Sequence, residues 1–408
     1  MSTAQQNIMT DVTKREICID ATLDHPHIPY ARQWVDEDDI SAVVDVLRSD
    51  WLTTGPKVDE FEQVLAGFVG AKEGVAVSSG TAALHAAMYA VGIGPGDEVI
   101  VPPMTFVATA NAVVYQGGIP IFSDVCPETL LLDPDQVEKK ITDRTKAILA
   151  VDYAGQPCDY DALRAIADHH GLFLIADACH SLGAEYRGTK VGSLADLTAF
   201  SFHPVKHITT GEGGMIVTDR ADFAKRLRRF RNHGIDTDHG QRAKKGTWHY
   251  EMHDLGYNYR TTDIQSALGI SQLNKLPGFL SRRRRIAKRY DEALGQICNI
   301  TPLAVREEVN HAYHLYVVRL STDKCTGSHA KIFKQLRNNG IGVNVHYIPV
   351  HLHPFYRNRF GTGPGLCPVA EAVFEEIISL PIFPSMNDND VDVVIKVTGT
   401  ILNNVLQC

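Results

Sequence analysis

The sequence predicts an α/β protein with a mostly parallel central sheet in a large domain, followed by a smaller α+β domain. Three observations predict it. From about residue 36 onward, short apolar runs alternate with helical stretches, which implies crossover connections and parallel strands covered on both faces. Near Gly269 the alternation gives way to one long helical pattern and a region of different character. A chain of 408 residues is also long enough for one large domain plus a smaller one. The expected layout is a loose leader at 1–27, the large domain at 28–270 and the small C-terminal domain at 271–408.

The elements follow in order. Residues 37–48 carry Ile40, Val43, Val44 and Leu47 at helical spacing. "GVAVSSGTAALHAAMYAVG" reads as an apolar strand, a Ser/Gly turn and an alanine-rich helix ending at Gly92. "DEVIVPP" is a second strand, and "TFVATANAVVYQGG" is the helix after it. "IPIFSDV", "KAILAVDYAG", "LFLIADACH" and "LTAFSFH" are further short apolar runs, and an apolar strand at 215–217 follows. In such sheets ligands sit at the carboxyl ends of the strands, and the unusual residues fall there, at 78–81, 177–180 and 201–206. Beyond 269, "SQLNKLPGFLSRRRRIAKRYDEALGQI" predicts a long helix broken near Pro277. "HLYVVRL" and "IGVNVHYIP" predict strands, and "KIFKQLRNNG" and "VAEAVFEEIISL" predict helices.

Composition excludes several classes. A net charge of −8 and a pI near 6.1 argue against a nucleic-acid binder, which normally shows a basic excess. No apolar run reaches the roughly 18 residues of a membrane span. The first two dozen residues lack the apolar core of a signal peptide. The eight cysteines (18, 126, 158, 179, 298, 325, 367, 408) include no close pair, which suits reduced thiols and a cytoplasmic protein. "HLHP" and the other histidines lack a metal-ligand pattern, so no metal is expected.

Three features carry chemistry. In "SSGTAAL", Gly80 permits a tight turn and Thr81 and Ala82 open a helix whose free N–H groups and dipole suit a phosphate. Asp177 ends the apolar strand "LFLIAD", where a carboxylate is costly to bury without a partner; it is either a helix cap or the partner of a protonated ring nitrogen. Lys206, 29 residues later and after another apolar run, falls at the same sheet edge. A lysine partly desolvated there has a lowered pKa and can act as an amine nucleophile. A phosphate cradle, an aspartate and a lysine at one edge are the parts a pyridoxal phosphate enzyme needs.

"SSGTAAL", "DACHSLGAEYRG", "FSFHPVKHITTGEGG" and "LGYNYRTTDIQSALG" also make the chain resemble the DegT/DnrJ/EryC1/StrS family of sugar aminotransferases, from about residue 28 to the C-terminus. That resemblance implies fold type I, with pyridoxal 5′-phosphate as cofactor and pyridoxamine 5′-phosphate as its aminated form. It places Lys206 on the Schiff-base lysine, Asp177 on the partner of the pyridine nitrogen and His180 beside the ring hydroxyl. It places Thr81, Ala82 and Ser201 on the phosphate and Phe106 on the ring face. Asn258 falls on a residue that reaches the phosphate of the neighbouring subunit, which implies a homodimer. Substrate contacts are implied for Tyr30, Asp50, Trp51, Leu52, Thr53, Tyr259, His314, Asn344, Val345, His346 and Tyr347. "VDYAG", "SFHPVKHITTGEGG" and "NVHY" look most like the branch serving pseudaminic acid biosynthesis. The implied substrates are therefore L-glutamate and a UDP-linked 4-keto-6-deoxy sugar of the N-acetylaltrosamine type, aminated at C4. "GYNYR" is the general family form and does not single out that branch. Another nucleotide 3- or 4-ketosugar, or a non-catalytic cofactor-binding regulator, stays open.

Other features read as structural. "GIGPGDE" precedes a strand where a dinucleotide fingerprint would follow one, so it reads as a turn. Arg282, Arg283, Arg284 and Arg285 read as a solvated helix face, and His203 and His207 as packing or loop residues.

Overall fold

The computed structural model describes residues 25–237, 240, 242, 246–321 and 328–406. Most of the expected leader, 1–24, and three of the cysteines, Cys18, Cys325 and Cys408, lie outside these residues. Along the chain come α1 (Glu37–Leu47), α2 (Pro56–Val69), β1 (Glu73–Val77), α3 (Gly80–Ala90), β2 (Glu98–Val101), α4 (Ala108–Tyr115) and β3 (Ile119–Phe122). They are followed by α5 (Pro134–Glu138), β4 (Thr145–Val151), α6 (Tyr160–His170), β5 (Phe173–Asp177), β6 (Glu185–Tyr186), β7 (Thr189–Lys190), β8 (Leu197–Ser201), β9 (Gly214–Thr218) and α7 (Ala221–Phe230). The remainder is α8 (Asp263–Leu294), β10 (Ile300–Pro302), β11 (Val309–Asn310), β12 (Tyr316–Leu320), α9 (Ser328–Asn338), α10 (Pro354–Phe360), α11 (Pro368–Phe374), β13 (Ile377–Leu380) and α12 (Asp388–Leu406).

Seven strands form one sheet in the order β1-β9-β8-β5-β4-β2-β3. Its β3-β2-β4-β5-β8 run is parallel, and β9 is inserted antiparallel between β8 and β1. The mostly parallel α/β class expected from the alternation is thus found. Strands β4 and β5 are almost wholly buried, as apolar strands covered by helices on both faces must be. A second sheet, β10-β12-β13, has its own core of Tyr316, Val318, Ile332, Leu336, Ile378 and Val394.

Helix α8 bridges these cores. A capping box of Thr262 and Gln265 starts it, and it runs unbroken for 32 residues with Pro277 inside. The expected break at Pro277 does not occur. Leu273, Leu276 and Leu280 bury the N-terminal half against Phe61, Phe202 and Met215, while Ile286, Tyr290 and Leu294 bury the C-terminal half in the second core. Buried side chains worth roughly 1.5–3 kcal/mol each outweigh the ~3 kcal/mol cost of an internal proline. The junction at 270/271 falls within this helix.

Two further expectations fail locally. "IGVNVHYIP" makes only isolated bridges, Ile341 with Ile28 and Asn344 with Ser379 of β13, and its Ile341 and Val343 side chains are buried in the second core without a continuous ladder. "VAEAVFEEIISL" is helical only to Phe374; Ile377–Leu380 turns into β13, since a short apolar run suits a buried strand as well as a helix. Among the described residues, no helix is long and apolar enough to cross a membrane.

Candidate active site

The carboxyl ends of β1, β5 and β8 open on one cavity of about 790 Å³. Behind β1, Ser79 caps α3 and its Oγ accepts the Ala82 N–H at 3.1 Å. Gly80 and Thr81 of that first turn line the cavity. Only glycine fits at position 80, because a Cβ there would lie 2.7 Å from Ser201 Cβ. Asp177 ends β5 and is 6% exposed. Its Oδ2 accepts from Thr109 Oγ1 at 2.7 Å, and its Oδ1 accepts from the Cys179 N–H at 3.2 Å. Ser201 ends β8, and the loop from it to β9 presents Lys206.

Lys206 Nζ lies 3.4 Å from His314 Nε2. Burial lowers the lysine's pKa, and the nearby Cys179 and Asp177 oppose that shift only in part. The His314 ring lies 4.3 Å from that of His180, tilted by 41°, and His180 Nε2 lies 3.1 Å from Tyr347 Oη. Burial, and then the charge of Lys206, hold both imidazoles well below their usual range, so they are neutral rings. The Nδ1 atoms of both are buried without a partner. His346 is held by Ser379 Oγ at 2.8 Å, and burial lowers its pKa to about 3.

A short turn behind β4 holds these groups together. The Asp152 N–H donates to Asp177 O at 3.2 Å, and Tyr153 Oη donates to His346 O. Gly155 has φ +102°, and a Cβ there would lie 2.7 Å from His180 O and 2.9 Å from His314 N. Asp152 itself is wholly buried, with Ser181 Oγ, Tyr160 Oη and the Cys158 N–H as donors, and burial raises its pKa to about 6.

Of the residues singled out in the sequence, Lys206, Asp177, His180, Ser201, Thr81, Phe106, Tyr30, His314, Asn344, Val345, His346 and Tyr347 all line the cavity. Ala82 sits one residue behind the wall with its N–H already capped. The rest do not converge on this chain's own cavity. Trp51 and Leu52 are about half exposed, Asp50 is exposed, and Thr53 bridges to Thr262. Asn258 is exposed on a segment bridged to Asn232, while the Tyr259 hydroxyl points to His85 Nδ1 at 3.1 Å. Ser79 and Cys179, within the stretches 78–81 and 177–180, also line the cavity, as do Thr105, Thr109 and Glu212, which sequence reasoning missed.

The basic run on α8 is corrected by the structure. Arg283 is fully buried, and its Nη1 donates to Tyr313 O, His314 O and Ile382 O at 2.9–3.3 Å. Arg282 meets Met386 O and Asp388, and Arg284 meets His311 O, so of the four only Arg285 is the solvated residue expected. The signal was present: position 283 lies three and four residues after Leu280 and Phe279, on the buried stripe. His207 is a packing residue as expected, 2% exposed and 3.1 Å from Ala312 O, whereas His203 reaches the cavity.

The model of one family, described as the DegT/DnrJ/EryC1/StrS aminotransferase family, matches residues 33–398. The chain belongs to this family. It is 42% identical over 377 residues to the spore coat polysaccharide biosynthesis protein SpsC of Bacillus subtilis, covering 92% of this chain and 97% of that one. Spr1654 of Streptococcus pneumoniae, a proposed sugar aminotransferase solved in PMP and PLP forms, superimposes with a TM-score of 0.88 at 35% identity in its PMP form, covering 93% of this chain and 100% of that one. PseC of Helicobacter pylori, an aminotransferase of pseudaminic acid biosynthesis, does so with 0.87 at 32% identity, covering 93% and 100%. The chain is an enzyme of the sugar aminotransferase class, and its cofactor is pyridoxal phosphate. The cavity fits that group: a desolvated amine, a carboxylate at a strand end, a helix start that tolerates no side chain at Gly80, and the imidazoles of His180 and His314 line one space.

Proposed function

We propose that the protein moves an amino group from L-glutamate to C4 of a UDP-linked 4-keto-6-deoxy sugar of the N-acetylaltrosamine type, as in pseudaminic acid biosynthesis. One observation carries the reaction class: Lys206, Asp177 and the start of α3 converge on a single cavity from three separate strand ends. Lys206 is the covalent anchor, Asp177 faces the ring nitrogen, and His180 neighbours the ring hydroxyl. Thr81 and Ser201 receive the phosphate, with Ala82 behind them contributing only if its N–H leaves Ser79 Oγ, and Phe106, 55% exposed on the cavity wall, supplies a face for the ring. Bound there, pyridoxal phosphate supplies an electron sink through which nitrogen passes between an amino acid and a ketone.

The chain's own groups do the rest. Burial lowers the pKa of Lys206, which favours the free amine that takes a proton from the reacting carbon and returns it. His314 beside it, being neutral, accepts a hydrogen bond without adding a second charge. Tyr30, Asn344, Val345, His346 and Tyr347 form the wall where the sugar is bound. The exposed residues 50–53 and Tyr259 belong to the outer rim of the sugar site. Asn258 serves the phosphate of a second copy, so the active unit is a homodimer and the site is completed across it. The C4 and UDP assignments are supported by "VDYAG" and "NVHY" and by the likeness to PseC.

The test is to incubate the purified protein with L-glutamate and a panel of UDP- and dTDP-linked ketosugars, followed by mass analysis. The expected product is the aminated UDP-linked 6-deoxy altrosamine derivative. Good amination of another sugar with none of this one would overturn the assignment. A yellow protein whose colour no amino donor changes would instead favour a regulator.

A further inference from the structure

Asp177 does not stand alone at the end of β5. Thr109, in the first turn of α4, is fully buried and donates from Oγ1 to Asp177 Oδ2 at 2.7 Å. The hydroxyl of Thr105, 3% exposed, lies 2.7 Å from Thr109 Oγ1. A hydroxyl has one proton to donate. Thr109 commits its proton to a carboxylate oxygen, so Thr105 is the donor in their contact. The hydrogen bonds therefore run one way, from Thr105 to Thr109 to Asp177. The other carboxylate oxygen, Oδ1, accepts the Cys179 N–H at 3.2 Å. Each oxygen has its own donor, and rotating the carboxylate would break both contacts. Burying the two hydroxyls is compensated by this relay.

We infer that Thr109, supported by Thr105, is a positioning residue that fixes Asp177 against the ring nitrogen of the cofactor. This rests on the role proposed above for Asp177. Phe106 lies between the two threonines in sequence, so residues 105–109 set both the surface under the ring and the orientation of its charged partner. A carboxylate already held in place loses no rotational freedom when the ring arrives, which favours binding.

The experiment uses full-length wild type, Thr109→Val, Thr109→Ser, Thr105→Val and Asp177→Asn. Pyridoxal phosphate is titrated into each by visible absorption, the pH midpoint of the bound band is recorded, and the cofactor-free forms are melted. Thr109→Val is expected to bind about tenfold or more weakly, the loss of a hydrogen bond to a charged group, with a displaced band midpoint. Thr109→Ser keeps the hydroxyl and stays within about twofold of wild type, and Thr105→Val loses a few-fold. Wild-type affinity in Thr109→Val beside a weakened Asp177→Asn overturns the inference, as does a Thr109→Ser protein as weak as Thr109→Val. Should Thr109→Val not fold, an unaltered affinity and midpoint in Thr105→Val would refute the relay. Failure of wild type to bind, or wild-type binding by Asp177→Asn, would instead remove the role proposed for Asp177.

Discussion

Replacing Gly155 by alanine tests whether the turn behind β4 holds the site in register. Two costs are predicted. The backbone there has φ +102°, which an L residue adopts at a cost of about 1–3 kcal/mol. The new Cβ would also lie 2.7 Å from His180 O, 2.9 Å from His314 N and 3.0 Å from Tyr313 N, all backbone atoms that cannot swing aside. Overpacking of this kind costs about 1–3 kcal/mol, so the sum is about 2–6 kcal/mol. Scaled to 408 residues, each kcal/mol corresponds to roughly 1–2 °C in melting temperature. Gly96 is the control: it has φ +92°, and an added Cβ there would meet nothing within 4 Å, so Gly96→Ala reports the backbone cost alone. Thermal melts of both variants, with and without pyridoxal phosphate, separate the two costs. Gly155→Ala is expected to melt several degrees below Gly96→Ala and to gain less from the cofactor, because His180 and His314 are displaced. Equal melting temperatures and equal cofactor stabilisation would refute the reasoning.

Lys206→Ala should abolish glutamate-driven loss of the visible band while leaving the melting temperature of the cofactor-free protein nearly unchanged, since it removes a desolvated amine rather than a packing residue. Equal mixing of Lys206→Ala with Asn258→Ala, with subunits exchanged, should restore about a quarter of wild-type activity if each site draws on two copies; no restoration in verified mixed dimers would count against a shared site. His85 is buried beside Tyr259 and Gln116, and burial lowers its pKa from 6.5 to about 4. The unfolded chain then binds the extra proton first, so stability present above pH 6.5 is lost as pH falls toward 4, by about 1–3 kcal/mol. His85→Leu should flatten that limb in denaturation measured across the window. Arg283→Met leaves three buried carbonyls without their donor and should destabilise by about 2–4 kcal/mol in chemical denaturation.

Lys206, Asp177 and the turn at Gly80 were legible together because strand-end residues of a parallel sheet must meet at one edge, whatever the crossovers between them do. Thr109 was not legible, since a threonine among small residues in "ATANAVV" has no local pattern that marks a bond to a strand 68 residues away. Arg283 is legible only when the four arginines are placed by helical phase, because as a bare charge run they give no reason to bury one of them. The metal-capable trio Asp236, Glu251 and His253 on the surface was also invisible, because a loop brings together residues up to 17 positions apart. "IGVNVHYIP" failed because alternation marks which residues are buried but not whether the backbone pairs as a ladder; Ile341 and Val343 are buried while the segment meets β13 only at Asn344.

Helix α8 is about 48 Å long at 1.5 Å per residue. Its first turn holds α2, where Asp263 accepts the N–H groups of Gly55 and Lys57, and its middle holds the His314 loop through Arg283. For anyone building hybrid enzymes by exchanging C-terminal segments, this sets where to cut. A crossover near residue 270 would join halves of two different rods and leave each parent's caps and clamps mismatched. A crossover at Thr262 would carry the rod over whole, together with the Arg283 clamp on the His314 loop, whereas one at Gly295 would keep the rod but part Arg283 from the carbonyls it holds.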